Sequence, residues 1–200
     1  MIFVIASHNQ KKIKELERIL SPLGIYAKTP EQLGKESIEV EETGTTFEEN
    51  AILKAKAVCE QTGMPAIADD SGLVVEALGG QPGVYSARYA GENATDAEKI
   101  DKLLNELMKT GSSNRDAFFE CVICCYFPNG ETLLAHGRCD GTIGYAPRGK
   151  NGFGYDPIFF VEGNKTFAEL SDNQKDVMSH RGKALKALSV LLKKKYPDNA

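Results

Sequence analysis

Ala68-Asp69-Asp70-Ser71-Gly72 follows the apolar step Pro65-Ala66-Ile67 and leads into Leu73-Val74-Val75. An apolar run that meets two carboxylates, a hydroxyl and a glycine reads as a strand ending with its acids at a sheet edge. Open α/β sheets keep their ligands at such edges. Two adjacent acids there point to a metal ion, a general base, or both.

Upstream, Ile2 to Ala6 is a β-branched apolar run followed by Ser7-His8-Asn9-Gln10-Lys11-Lys12. Beyond it Ile13, Leu16, Ile19, Leu20 and Leu23 recur at helical spacing. Strand, polar turn and helix aim backbone N–H groups and the positive end of a helix at an anion. The same residues also suit plain capping by Ser7 and Asn9 with solvated lysines. Downstream, Thr46 with Glu49, Thr95 with Glu98, Thr166 with Glu169 and Ser171 with Gln174 have capping-box spacing, so four helix starts are expected. Asn50 and Lys54 share a face of the helix that Thr46 opens. Ala117–Phe127 reads as a strand that turns at Pro128-Asn129-Gly130 and returns through Glu131–His136, which makes the sheet mixed.

The 200 residues suit a single domain, 1–200, of one or two lobes, and no linker or repeat divides them. A composition 42% hydrophobic and 26% charged is that of a soluble globular protein. No apolar run reaches membrane-span length and no leader precedes the first strand, so a cytoplasmic protein without membrane contact is expected. Five cysteines at irregular spacing make a poor disulfide framework. Cys121 and Cys124 sit three apart on a strand, on opposite faces, so the thiols are expected to be buried and structural. A net charge of −4 argues against a nucleic-acid coat, but leaves room for a small polyanion neutralised locally. The run from Gly144 to Gly149-Lys150 resembles a P-loop, yet Asn151 stands where a metal-binding hydroxyl belongs and Gly152-Phe153-Gly154 cannot open a helix.

Gly152-Phe153-Gly154-Tyr155-Asp156-Pro157 interleaves glycines, aromatics and an acid ahead of an apolar strand. Either it is a structural turn, or it presents a ring to a planar base with Asp156 on the base edge. Lys175, His180 and Arg181 cluster beside Gly182, three donors suited to a carbonyl or a phosphate.

Taken together, Ser7-His8-Asn9-x-x-Lys12-x-x-Glu15-Leu16, Glu41-Glu42-Thr43-Gly44, Phe47-x-x-Asn50-Ala51-x-x-Lys54-Ala55, Ala68–Leu73, Gly79-Gly80-x-Pro82-Gly83, Gly152–Pro157 and Ser179-His180-Arg181-Gly182 resemble, in order and over nearly the whole chain, the inosine/xanthosine triphosphate pyrophosphatases. The resemblance implies an elongated mixed α/β protein, its sheet flanked by helices and two lobes set around a central cleft. It implies a homodimer that uses Mg²⁺ to cleave a purine nucleoside triphosphate to the monophosphate and pyrophosphate. Ser7, His8, Asn9, Gln10, Lys11, Lys12 and Lys54 would hold phosphates. Glu41 and Asp70 would hold Mg²⁺, and Asp70, or Asp69 beside it, would activate water. Ser71 would touch the substrate, and Phe153, Gly154, Tyr155, Asp156, Lys175, His180 and Arg181 would form the base pocket. His8 departs from the glycine usual at that place, which leaves its ring without an implied role. A pyrophosphatase for a modified pyrimidine nucleotide, or a non-catalytic nucleotide- or RNA-binding module, are the competing readings; the acidic charge disfavours RNA.

Overall fold

A computed structural model describes residues 2–196, apart from the side chain of Leu23. The expected place of Leu23 on the first helix's apolar face therefore falls outside the described residues. The strands are β1 (Ile2–Ile5), β2 (Tyr26–Lys28), β3 (Ala66–Val75), β4 (Asp116–Tyr126), β5 (Thr132–Ile143), β6 (Phe159–Val161) and β7 (Lys165–Thr166). The main helices are α1 (Gln10–Leu20), α2 (Phe47–Thr62), α3 (Asp96–Thr110), α4 (Asp172–Met178) and α5 (His180–Lys195). The strands form one seven-stranded sheet in the order β2-β1-β3-β4-β5-β6-β7. β1 runs parallel to both β2 and β3, whereas β6 is antiparallel to β5 and to β7, so the sheet is mixed as expected.

All four capping boxes form. Thr46 and Glu49 open α2, Thr95 and Glu98 open α3, and Ser171 and Gln174 open α4. Thr166 and Glu169 close on a single 3-10 turn, Phe167–Glu169, instead of a full helix. The reciprocal side-chain bonds satisfy backbone donors that a helix start leaves open. No helix of the described residues is long and apolar enough to cross a membrane.

The chain divides into two compact units. In the first (Met1–Asp70, Cys121–Gly137, Arg181–Ala200), Phe3 and Ile5 of β1 join Ile67, Cys121, Ile123 and Cys125 in a core covered by Ile13, Leu16 and Leu20 of α1 and Leu185, Leu188 and Leu192 of α5. Val4, between Phe3 and Ile5, is buried on the opposite face, the one that α2 covers. In the second unit (Ser71–Glu120, Arg138–His180), Leu73, Val75, Phe119, Ile143, Ile158, Phe159 and Phe167 pack with Ile100, Leu103 and Leu107 of α3. Phe119 meets Phe159 edge-on at 4.7 Å between centroids.

All five cysteines are buried and free, as expected. Burial, with lesser help from nearby carboxylates, pushes the Cys121 and Cys124 thiols up to about 12, so neither ionises at neutral pH.

One expectation changes. β3 does not end at its acids but continues through them to Val75. The strand that ends is β1: its pairing with β3 stops at Ile5 opposite Ile67, so the acids begin just past the carboxyl end of the parallel pair.

Gly141 of β5 shows how tightly the second unit is packed. A methyl group there would press on the carbonyl oxygen of Phe160 and come within 2.7 Å of the Phe159 ring. Gly141→Ala should therefore cost about 1–3 kcal/mol, read as a lower urea midpoint with an unchanged slope.

Candidate active site

The pleat of β3 decides where each acid goes. Successive residues of a strand point to opposite faces. Asp69 shares its face with Ile67 and faces α1 and α5; Asp70 shares its face with Ala66 and Ala68 and faces α2. Each acid then bonds directly to a different set of partners, although Lys12 and Lys54 are close enough to act on both.

Asp69 is fully buried. Its Oδ2 accepts from Arg181 Nη2 at 2.9 Å and Nε at 3.2 Å, and Lys12 Nζ stands 3.3 Å away. Arg181, also buried, extends Nη1 to Glu15 on α1. Burial would raise the Asp69 pKa, but Lys12, Arg181 and Lys54 outweigh it and hold the carboxyl well below the usual carboxylate range. Asp69 is thus a fixed anion.

Asp70 Oδ2 accepts from Asn50 Nδ2 at 3.2 Å, and Oδ1 accepts from Lys54 Nζ at 3.0 Å. Asn50 and Lys54 are one turn apart on α2, as their spacing predicted. Lys54 also donates to Glu42 Oε1 at 2.6 Å. Burial raises the Asp70 pKa; Lys54 and Lys12 lower it, Glu42 raises it further, and the balance lies above the ordinary value. Asp70 is therefore the better proton acceptor of the two.

The turn after β1 is held by its own side chains. Asn9 caps α1, with Oδ1 accepting from the N–H groups of Lys11 and Lys12 at 3.0 and 3.2 Å, and Ser7 Oγ accepts from the Asn9 N–H at 3.3 Å. Gln10 and Lys11 are exposed at the helix start. His8 Nε2 lies 2.9 Å from Ile38 O, and Ser37 Oγ lies 3.3 Å from Nδ1. A ring that donates through Nε2 and accepts through Nδ1 satisfies both contacts.

Glu41, expected beside Asp70, is exposed. Glu42 takes the place beside Lys54 instead, at the centre of a tight turn in which the Thr43 N–H bonds to Glu41 O at 3.1 Å. Asp70 and Glu42 gather two hard oxygen donors around one positive charge, a donor set that suits a small divalent cation completed by water and phosphate oxygens. No group of three or more metal-binding side chains exists among the described residues, so the pair does not fit an all-protein cage.

In the second unit, Lys175 lies within α4 and is buried. Its Nζ donates to Asp156 Oδ2 at 2.7 Å and sits 4.8 Å from the centroid of Phe153 and 5.7 Å from that of Phe167. Asp156 Oδ2 also accepts from the Phe153 N–H at 2.9 Å. The His180 ring is buried and stacks on Phe119 at 4.6 Å with 11° between planes. Tyr155 Oη donates to Ser86 O at 3.0 Å. Ser71 is half-buried in β3. In the P-loop-like segment the Arg148 and Lys150 amides bond to Pro157 O and Ala168 O.

Arg181 departs most from its expected place. Its guanidinium donates to Asp69 and Glu15. Glu15 and Glu42 stand within the quoted motifs without an assigned role, and Phe167 is outside them. A carboxylate within the apolar stripe of α1 was the available signal for Glu15.

The family model described as "Ham1 family" matches residues 3–191. The chain belongs to the Ham1 family. The dITP/XTP pyrophosphatase of Bacillus subtilis (strain 168) is 50% identical over 190 residues, 94% of this chain and 96% of that one. The solved Ham1 protein of Coxiella burnetii superposes with a TM-score of 0.89 at 47% identity, covering 97% of this chain and 99% of that one. The Staphylococcus aureus Ham1 protein does so with a TM-score of 0.85 at 46% identity over 98% and 100%, so the Ham1 fold spans the chain.

Removing the buried Asp69 charge leaves Arg181 poorly compensated, so Asp69→Asn should cost about 3 kcal/mol or more at pH 7. The folded-state pKa of Asp69 is depressed below its ordinary 3.8. Its stabilisation is therefore complete above that value and lost as the pH falls below it. Urea unfolding from pH 7 to pH 2.5 should show the gap between variant and native protein closing below about pH 4. A gap that stays constant would remove the charge as its cause.

Proposed function

We propose that this Ham1 chain is a dITP/XTP pyrophosphatase, a hydrolase that converts deaminated purine nucleoside triphosphates to monophosphates and pyrophosphate and so keeps them out of DNA and RNA. The observation that carries the reading is the division of labour at β3: one carboxylate locked by Arg181 and Lys12, its neighbour held by Asn50 and Lys54 with Glu42 alongside.

Cleavage between the α and β phosphates needs a water in line with the departing pyrophosphate. The water oxygen forms the new bond to the α phosphorus, the bond to the bridging oxygen breaks, and pyrophosphate leaves with that electron pair. Asp70 accepts the proton of the water. Lys12 and Lys54, with the N-terminal turn Ser7–Lys11, balance the charge on the phosphates. Asp69 orients Lys12 and takes no proton. Asp70 and Glu42 would hold Mg²⁺, which supplies charge neutralisation on the phosphate oxygens when bound.

Lys175, His180, Phe153, Gly154, Tyr155 and Asp156 receive the base, with Ser71 touching the substrate. A donor such as Lys175 pairs with the 6-oxo group of hypoxanthine or xanthine and is left unpaired by the amino group of adenine, which supports rejection of ATP. Arg181 contributes by fixing Asp69. We also place the protein in the cytoplasm as a homodimer, which a sizing column with light scattering tests.

Pyrophosphate release from ITP, dITP, XTP, dUTP, GTP and ATP, with and without Mg²⁺, tests the reading. Rapid release from the first three alone, dependent on Mg²⁺, is expected; no release from any triphosphate overturns it. Asp70→Asn should lower kcat by roughly 100-fold or more. Glu42→Gln should raise the Mg²⁺ concentration needed for half-maximal rate, while Glu41→Gln leaves it near the native value. The opposite result would return the second ligand to Glu41.

A further inference from the structure

Asp96 belongs to none of the sequence motifs assigned to the site. It is the first residue of α3, directly after the capping Thr95. An acid there ordinarily needs no explanation beyond the helix dipole. In this structure its two oxygens have separate long- and short-range tasks. Oδ1 pairs with Lys99 Nζ at 2.8 Å, one turn along the same helix. Oδ2 accepts the backbone N–H of Gly154 at 2.8 Å, 58 residues away.

That N–H belongs to the peptide linking Phe153 to Gly154. Gly154 has φ +61°, in the left-handed region, so the direction of its amide rests on a conformation that other residues adopt at a cost. Two further tethers hold the same loop. Asp156 Oδ2 accepts from the Phe153 N–H at 2.9 Å and from Lys175 at 2.7 Å, and Tyr155 Oη donates to Ser86 O at 3.0 Å. Ser86 Oγ in turn accepts from the Leu73 N–H at 2.9 Å, which ties that anchor to β3. The Asp156 bonds close the loop on itself and on α4, and the Tyr155 bond fixes the residue after the glycine. The 153–154 peptide is held at both ends: Phe153 O accepts the Asp156 N–H at 3.2 Å from within the loop, and Asp96 holds the Gly154 N–H from α3, so that bond ties the peptide carrying the Phe153 ring, 4.8 Å from Lys175 Nζ, to a helix outside the loop.

We propose that Asp96 is a specificity-determining positioning residue: its carboxylate fixes the Phe153–Gly154 peptide so that the ring and the Lys175 donor meet the purine base in one arrangement. The inference rests on the reading of the second unit's aromatic and basic group as the base pocket. A pocket that rejects the wrong exocyclic group does so only while its polar groups cannot shift to accommodate it. Loosening this loop therefore weakens binding of the 6-oxo base more than it weakens the residual use of ATP.

The test compares Asp96→Ala, Asp96→Asn and Lys99→Met in steady-state assays on ITP and ATP, with the native protein alongside and folding checked by thermal melting. Asp96→Ala loses the acceptor. Its KM for ITP should rise about tenfold with kcat within twofold, and the ITP-to-ATP ratio of kcat/KM should fall by a similar factor. Asn keeps an acceptor oxygen at the same reach, so Asp96→Asn should stay within about twofold of native. Lys99→Met removes only the ion pair and should leave KM and the ratio unchanged. Should Asp96→Ala fail to fold, Asp96→Ser, which suits a helix start but is too short to reach Gly154, should show the same rise in KM. A folded Ala or Ser variant with native KM and native discrimination overturns the proposal. So does an Asn variant as impaired as Ala, or a Lys99→Met variant that reproduces the Ala effect. Native protein inactive on ITP brings down the underlying reading and this inference with it, a result separable from a variant that behaves as native.

Discussion

Two neighbouring carboxylates on one strand cannot share a face, and the first unit's chemistry depends on that constraint. Had Asp69 and Asp70 bonded directly to the same partners, their mutual repulsion would have raised one pKa at the expense of the other with nothing to choose which. The pleat chooses. Asp69 falls among Lys12, Arg181 and, through Arg181, Glu15; Asp70 falls to Asn50, Lys54 and Glu42. α1, α2 and α5 are positioned by apolar residues that follow the same alternation through β1 and the first part of β3, so packing and electrostatics are set by one periodicity.

The energetic consequence is uneven. Arg181, Asp69 and Glu15 form a buried ionic cluster, whose desolvation cost is repaid only when every member is present. Such a cluster adds little net stability, but it makes wrong arrangements expensive, which matters where a lysine must meet a phosphate at a fixed place. The Asp70 side is less completely compensated and correspondingly closer to the ordinary titration range. Rigidity and reactivity are thus distributed to opposite faces of one strand.

Much of this was legible in the chain. The capping pairs marked four starts, the apolar spacing of Ile13, Leu16 and Leu20 located the buried face of α1, and the Asn50–Lys54 interval brought both side chains to one acid. What was not legible depended on tertiary context. β3 continues past its acids because only its neighbour β1 stops, and a strand's partners are not written in its own sequence. Glu41 and Glu42 are chemically identical, so only the path of the loop distinguishes them. Arg181 reads as a donor for a carbonyl or a phosphate until α1 and β3 supply two carboxylates for it. The Thr166 box closes on a single turn because Leu170 is extended and Ser171 already caps the next helix.

The burial of every cysteine has a practical side as well. Four thiols, Cys59, Cys121, Cys124 and Cys125, belong to the first unit, and Cys139 alone to the second. All are buried in the folded protein, Cys121, Cys124 and Cys125 completely, so thiol reagents reach them mainly when the backbone around them opens. The chain therefore carries its own timers: the modification rate of Cys139 against that of the other four measures how often each unit breathes, without any label being engineered into it.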